Sequence, residues 1–195
     1  MDEIDRRVSD DVKVKGWHVM LVPASEHDQD GFVQYGYTVG LWSTYAHPEL
    51  ILLGGGLQTE TMFALLAMAC SNVAGGQRYA TDRRYGDIMR GLDMQIGRVS
   101  PENRKAFMTY ADWFNERNTF GALQLVWPDI AGRFPTEAGY DEIRFPQPLL
   151  AGAPLNWVRP VEKLLHTRLG PVRRQAPPQP PAQPAPAPND AGGQP

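Results

Sequence analysis

FVQYGYTVGLWSTYAHPELILLGGG, residues 32–56, decides how the chain is read. At a period of two, Val33, Tyr35, Tyr37, Val39 and Leu41 share one face of a strand, and Phe32, Gln34, Gly36, Thr38, Gly40 and Trp42 share the other. The first face is apolar and reads as core. The second is small and polar at its centre, where Gly36 and Gly40 leave room for a ligand or another backbone to come close. Pro48 holds His47 away from helical geometry, so residues 43–48 read as a turn. Residues 49–53 then read as a buried strand that ends in Gly54, Gly55 and Gly56. A polar strand face therefore falls close in sequence to His47 and Glu49.

Working outward, residues 17–22 alternate in the manner of a strand covered on both faces. They are joined to the central stretch through PASEHDQDG, a run of turn formers suited to a hairpin loop. Its Glu26, Asp28 and Asp30 resemble a fragment of a calcium loop without the full pattern of roughly 12 residues, and an ordinary solvated turn is the better reading. After the glycine triplet, Thr59 is placed to cap a helix whose Met62, Leu65, Leu66, Ala69 and Val73 fall on one face. Cys70 lies within that helix with no base near it in sequence, which reads as a buried, inert thiol.

Residues 76–99 mix short strand-like pieces with glycines. Their arginines, Arg78, Arg83, Arg84, Arg90 and Arg98, either form a solvated face or hold an anion such as phosphate or carboxylate. Ser100 and Pro101 open a second helix, with Phe107, Tyr110, Ala111 and Phe114 as an inward stripe that fades near residue 118. Residues 122–127 read as a further strand, followed by a turn through Pro128 and Asp129.

Composition bounds the class of protein. The 195 residues are 42% hydrophobic, enough for one substantial core, so the expected organisation is an arm over 1–15, a globular domain over 16–145, an extension over 146–170 that packs on it, and a tail over 171–195. The tail, with its APPQPPAQPAPAP run, is expected to be extended and disordered, and to serve as a linker or a weak ligand for a protein partner. A net charge of -3 gives no basic footprint for nucleic acid. No apolar run reaches the roughly 18 residues of a membrane helix, and the charged amino terminus does not resemble a signal peptide. One cysteine excludes an intramolecular disulfide and fits a cytoplasmic setting.

The segments YTVGL at 37–41, HPEL at 47–50, QLVWPD at 124–129 and GRFP at 132–135 together resemble an uncharacterised bacterial family classed only as a domain of unknown function. The resemblance spans residues 16–140 and implies a shared fold without an activity. Thr136 stands where that pattern would carry an aromatic residue. The order of elements is also similar to that of flavin reductase-like split barrels, which would imply a flavin cofactor and redox chemistry.

The expected architecture is α+β: a mostly antiparallel sheet or partly closed barrel with two flanking helices and a disordered carboxy-terminal tail. His47 is the one histidine set beside both a plausible pocket and a carboxylate, which suits proton exchange, although structural roles are the simpler reading, with His47 satisfying the turn, Glu49 bonding backbone amides and Asp129 making an Asx-turn after Pro128. The candidate ligand-binding residues are Gln34, Tyr37, Thr38, Gly40, His47, Glu49, Arg84 and Asp129. Neither a phosphate-cradling Walker loop nor a nucleophile elbow is present, which disfavours a standard nucleotidase or serine hydrolase. The expected function is a small-ligand-binding domain; the alternatives are an interaction or regulatory protein, including a homo-oligomer, and a flavin-dependent oxidoreductase.

Overall fold

The computed structural model describes residues 3–23, 34–116 and 119–153. The proline-rich tail, the end of the 146–170 extension and the acidic loop containing Glu26, Asp28 and Asp30 lie outside the described residues. Along the chain run α1 (Glu3–Lys15), β1 (His18–Val22), β2 (Tyr35–Val39), α2 (Leu41–Tyr45), β3 (Glu49–Leu53) and α3 (Thr59–Ala74). They are followed by β4 (Arg84–Met89), β5 (Leu92–Arg98), α4 (Pro101–Phe107), α5 (Thr109–Phe114) and β6 (Ala122–Val126).

The six strands form one open sheet in the order β1-β2-β3-β6-β5-β4. Every neighbouring pair is antiparallel except β3 and β6, which run parallel with Glu49 opposite Ala122 and Leu52 opposite Leu125. Of the two forms expected, the open sheet is the one adopted. It has edges at β1 and β4 and does not close into the barrel of the flavin reductase analogy.

Helices cover both faces. On one, Leu50, Leu52, Met94, Ile96, Leu123 and Leu125 pack with Met62, Leu65, Leu66, Ala69 and Val73 of α3. On the other, Tyr35, Tyr37, Val39, Ile51 and Leu53 meet Val8 and Val12 of α1 together with Phe107 of α4, Ala111 of α5 and Met108 between those two helices. Burying each such aliphatic side chain contributes about 1.5–3 kcal/mol, so the two-sided core is the main source of stability. The period-two face led by Tyr35, Tyr37 and Val39 is core, as its pattern implies. The face with Gly36 and Thr38 is also buried, and there the occupant is a helix: a Cβ on Gly36 would lie 2.8 Å from both Leu21 and Leu66 side chains.

The strand ends sooner than the alternation implies. Gly40 adopts φ 104°, a left-handed conformation that few side-chain-bearing residues tolerate, and the chain turns there into α2. The short helix takes Leu41 and Trp42, which read as strand, and residues 43–45 of the expected turn, while residues 46–48 lie outside it.

The amino-terminal arm is a helix with acidic Glu3 and Asp5 in its first turn and Lys13 and Lys15 in its last, the arrangement its dipole favours. Val8 and Val12 anchor it. The Ser100 side chain caps α4 as expected, accepting the Asn103 amide at 3.3 Å. The single helix expected from residue 101 is divided at Met108, whose ψ of 48° leaves helical geometry and starts α5 in a new direction. Gln58, rather than Thr59, occupies the cap position of α3, and the Thr59 hydroxyl donates instead to Gln34 Oε1 at 3.2 Å. Residues 84–98 resolve into the β4–β5 hairpin, with an irregular register between Tyr85 and Met89. Among the described residues, no helix is long and apolar enough to cross a membrane.

Candidate functional site

The carboxylate of Glu49 is wholly buried at the start of β3. It accepts the Thr38 hydroxyl at 2.6 Å and the backbone amides of Gly40 at 2.9 Å, Trp42 at 3.1 Å and Leu41 at 3.3 Å. Those amides open α2 and have no intrahelical partner of their own, so the side chain satisfies donors that would otherwise be stranded in the core. Burial pushes the Glu49 pKa up, against the pull of the four hydrogen bonds. The thiol of Cys70 is also buried, and its pKa is raised well above its ordinary value by burial and then by the nearby Glu49.

His47, two residues away, is equally buried. Its Nε2 accepts the Tyr79 amide at 3.1 Å, which requires an unprotonated Nε2. Its Nδ1 therefore carries the proton and donates to the Pro48 carbonyl at 2.7 Å. Burial holds the pKa below its ordinary value, and the Tyr79 ring packs edge-on at 5.8 Å. Both ring nitrogens are thus engaged with backbone groups. His47 and Glu49 act on the same piece of chain, since Pro48 lies between them and the Glu49 amide donates to the Gly121 carbonyl at 2.9 Å.

The remaining candidates divide between the two ends of the sheet. Thr38 and Gly40 join Glu49 at one end. Gln34 precedes β2 at the other, where its side-chain amide nitrogen donates to the Leu57 carbonyl and its backbone carbonyl accepts the Gly54 amide at 2.6 Å. Asp129 follows β6, and because β6 runs parallel to β3 it lies at the end opposite Glu49. Its carboxylate accepts the amides of Ala131 at 2.8 Å, Arg133 at 2.9 Å and Asp141 at 3.3 Å, and pairs with the Arg133 guanidinium at 2.9 Å. Arg84 belongs to that second end, ion-paired with Glu137 and stacked 4.4 Å from the Phe134 ring. Tyr37 sits between, fully buried, with its hydroxyl accepting the Tyr110 amide at 3.3 Å. The structure therefore brings together Thr38, Gly40, His47 and Glu49 and separates them from Gln34, Arg84 and Asp129.

Beside the first group lies a cleft of about 400 Å³, lined among others by Arg98, Val99, Arg104, Phe120, Ala122 and Leu123. Gly121 forms part of its wall, and a Cβ there would lie 3.3 Å from the Pro48 ring, so the buried His47–Glu49 segment backs directly onto it. Arg98 was visible in sequence as one of several arginines. Arg104 and Phe120 were not, because their meeting depends on how α4 packs over the start of β6. Among the described residues, no group of three or more His, Cys, Asp and Glu side chains is placed to hold a metal ion.

A family model described as a domain of unknown function (DUF4262) matches residues 11–141. No curated protein and no solved structure matches the chain.

Proposed function

The chain belongs to the DUF4262 family, a domain of unknown function from which no specific activity follows, and on that premise we propose that it is a small-ligand-binding domain whose ligand occupies the cleft at the meeting of β5, α4 and β6. The observation that carries this reading is the cleft itself. At about 400 Å³ it is of a size that takes small molecules, and it mixes apolar walls from Val99, Phe120 and Leu123 with polar groups from Arg98 and Arg104. In this reading Thr38, Gly40, His47 and Glu49 are positioning residues. They fix Pro48 and the start of β3, and through Gly121 they fix one wall of the cleft.

The reading is tested by screening a fragment library against ¹⁵N-labelled protein. Ligand-induced amide shifts should concentrate on Val99, Phe120, Gly121 and Ala122, and Thr119→Trp, which places a bulky ring at the exposed edge of the cleft, should abolish them. Shifts that map elsewhere, or that survive Thr119→Trp unchanged, would overturn it. The single cysteine, buried and free, supports a reducing, cytoplasmic setting for the domain.

A second reading, self-association, is favoured by Trp113, which is 44% exposed and packs edge-on against Tyr110 and Phe114 on α5. Light scattering of the full chain beside Trp113→Ala decides it: a dimer that the substitution dissociates supports it, and a monomer at all concentrations removes it.

A further inference from the structure

The carboxy-terminal end of the described chain is held at a fixed point on α4. The Asn103 side-chain amide donates to the carbonyls of Leu150 at 2.9 Å, Ala153 at 3.3 Å and Gly152 at 3.4 Å, and the Leu150 carbonyl also accepts the Ser100 amide at 2.8 Å. Residues 154–195 therefore start beside α4. Because α5 follows α4 directly, Trp113 lies no more than roughly 20 Å from Asn103, at about 1.5 Å per helical residue with an allowance for the break at Met108. A connection of about 20 residues spans about 25 Å on a root-mean-square basis, so the proline-rich run that begins at Ala176 is within reach of α5. Trp113 has the chemistry to receive it. Its indole is 44% exposed, and the Tyr110 and Phe114 rings pack edge-on at 5.7 and 6.3 Å, which sets a flat aromatic face at the surface. Such aromatic faces take polyproline II segments, whose preformed shape costs little entropy to bind. Charge agrees as well. Arg173 and Arg174 precede the run, and the exposed Glu116, whose amide bonds the Trp113 carbonyl at 3.0 Å, stands at the end of α5.

We propose that the proline-rich run of this chain, residues 176–188, docks in cis on the Trp113 shelf of α5, with Arg173 and Arg174 set toward Glu116. Tethering makes so small a shelf sufficient. A linked ligand acts at an effective concentration in the millimolar range, so a contact too weak to hold a free peptide is populated. The docked run covers the indole, and any partner of the tail or of Trp113 must displace it first. The inference is independent of the small-ligand reading and gives Trp113 an occupant other than a second copy of the chain.

The experiment places a nitroxide just past the run of the full-length protein through Ala191→Cys, the native Cys70 being buried, and follows paramagnetic broadening by NMR. The expected result is broadening concentrated on the Trp113 indole and the amides of Asp112, Phe114 and Glu116. Trp113→Ala, at an exposed position, should return the remaining α5 amides to the level of the rest of the surface. Arg173→Glu with Arg174→Glu should lower the docked fraction relative to the free by about two- to fivefold. A synthetic APPQPPAQPAPAP peptide should relieve the broadening at roughly 10 mM. Broadening spread evenly over the surface, or unchanged by Trp113→Ala, overturns the proposal. Broadening unchanged by the double arginine variant overturns it too, whether or not Trp113→Ala folds. A mixture of nitroxide-bearing unlabelled chains with ¹⁵N-labelled chains lacking the nitroxide separates the two occupants: no broadening there supports docking in cis, and broadening at Trp113 assigns the shelf to another copy and overturns it.

Discussion

Thr38 and Glu49 are joined by a 2.6 Å hydrogen bond in which the Thr38 hydroxyl donates to the carboxylate, while the same hydroxyl oxygen accepts the Leu50 amide at 2.8 Å. The Leu50 amide can only donate, so the direction of the Thr38 proton is fixed and it points at Glu49. Both carboxylate oxygens consequently face donors alone, with Gly40 and Trp42 on Oε1 and Thr38 and Leu41 on Oε2.

Glu49→Gln is therefore not a benign isostere, since the new amide nitrogen must face donors on one side. It should cost about 2–4 kcal/mol in urea unfolding, and Thr38→Val, which strands the Leu50 amide, about 1–3 kcal/mol. A Glu49→Gln protein as stable as the parent at neutral pH would show that the carboxylate is not the acceptor described.

The same carboxylate sets a pH dependence of a distinct sign. Its folded pKa is raised above the ordinary 4.5 by burial, so the folded state retains a proton that the unfolded state has released. Stability should fall as pH rises from 4.5 toward the folded value. Glu49→Gln should remove that part of the slope, which equilibrium unfolding at a series of pH values measures directly.

His47 acts in the opposite sense. Its folded pKa lies below the ordinary 6.5, so the stability contributed by the neutral ring is present above 6.5 and is lost as pH falls through the folded value. In a two-dimensional NMR titration, the His47 ring should show the Nδ1–H tautomer at neutral pH and a midpoint below 6.5. A midpoint at or above 6.5 would contradict the arrangement in which Nε2 accepts the Tyr79 amide.

How much of this was legible in the chain follows from which forces are local. Tyr35, Tyr37 and Val39 announced a core face because strand alternation is a property of adjacent residues. Ser100 with Pro101 announced α4 because capping is equally local. That Glu49 bonds backbone amides was readable as its simpler role, but which amides it gathers was not, because that depends on Gly40 turning the chain so that three of them converge on one side chain. Nor was the parallel pairing of β3 with β6, which decides that Asp129 lies far from Glu49 and that Pro48 backs onto the cleft. That pairing joins segments separated by α3, the β4–β5 hairpin, α4 and α5, and no short-range pattern records it.

Gly36 gives a test of what fills the polar face of β2. A Cβ there would meet Leu21 and Leu66 at 2.8 Å and the Met20 carbonyl at 3.2 Å. Gly36→Ala should cost about 1–3 kcal/mol through overpacking. Leu66→Ala alone should cost about 2–5 kcal/mol. In the double variant the two losses should be less than additive, since the shortened side chain makes room for the new methyl group. Additive losses would mean that Leu66 is not what confines Gly36.

At the far end of the sheet, Asp129 is tested by asking where, rather than how much, the protein loosens. Burial alone would raise its pKa, but the Arg133 amide, the Arg133 guanidinium and the Asp141 amide prevail and hold it below the ordinary 3.8. A depressed carboxylate contributes stability that is present above 3.8 and disappears as pH falls through the folded value, so this loop should be an acid-sensitive part of the fold. The Asp129 amide also bonds the Arg133 carbonyl at 2.8 Å, which closes the turn from both sides. Asp129→Asn keeps the shape, loses the ion pair and turns an N–H group toward one set of donors. Hydrogen exchange should then rise at Ala131, Arg133 and Asp141 while the amides around Glu49 keep their protection, because the two networks share no side chain. If exchange instead rises equally at both ends, the Asp129 loop unfolds only with the whole sheet, and its carboxylate is a determinant of global rather than local stability.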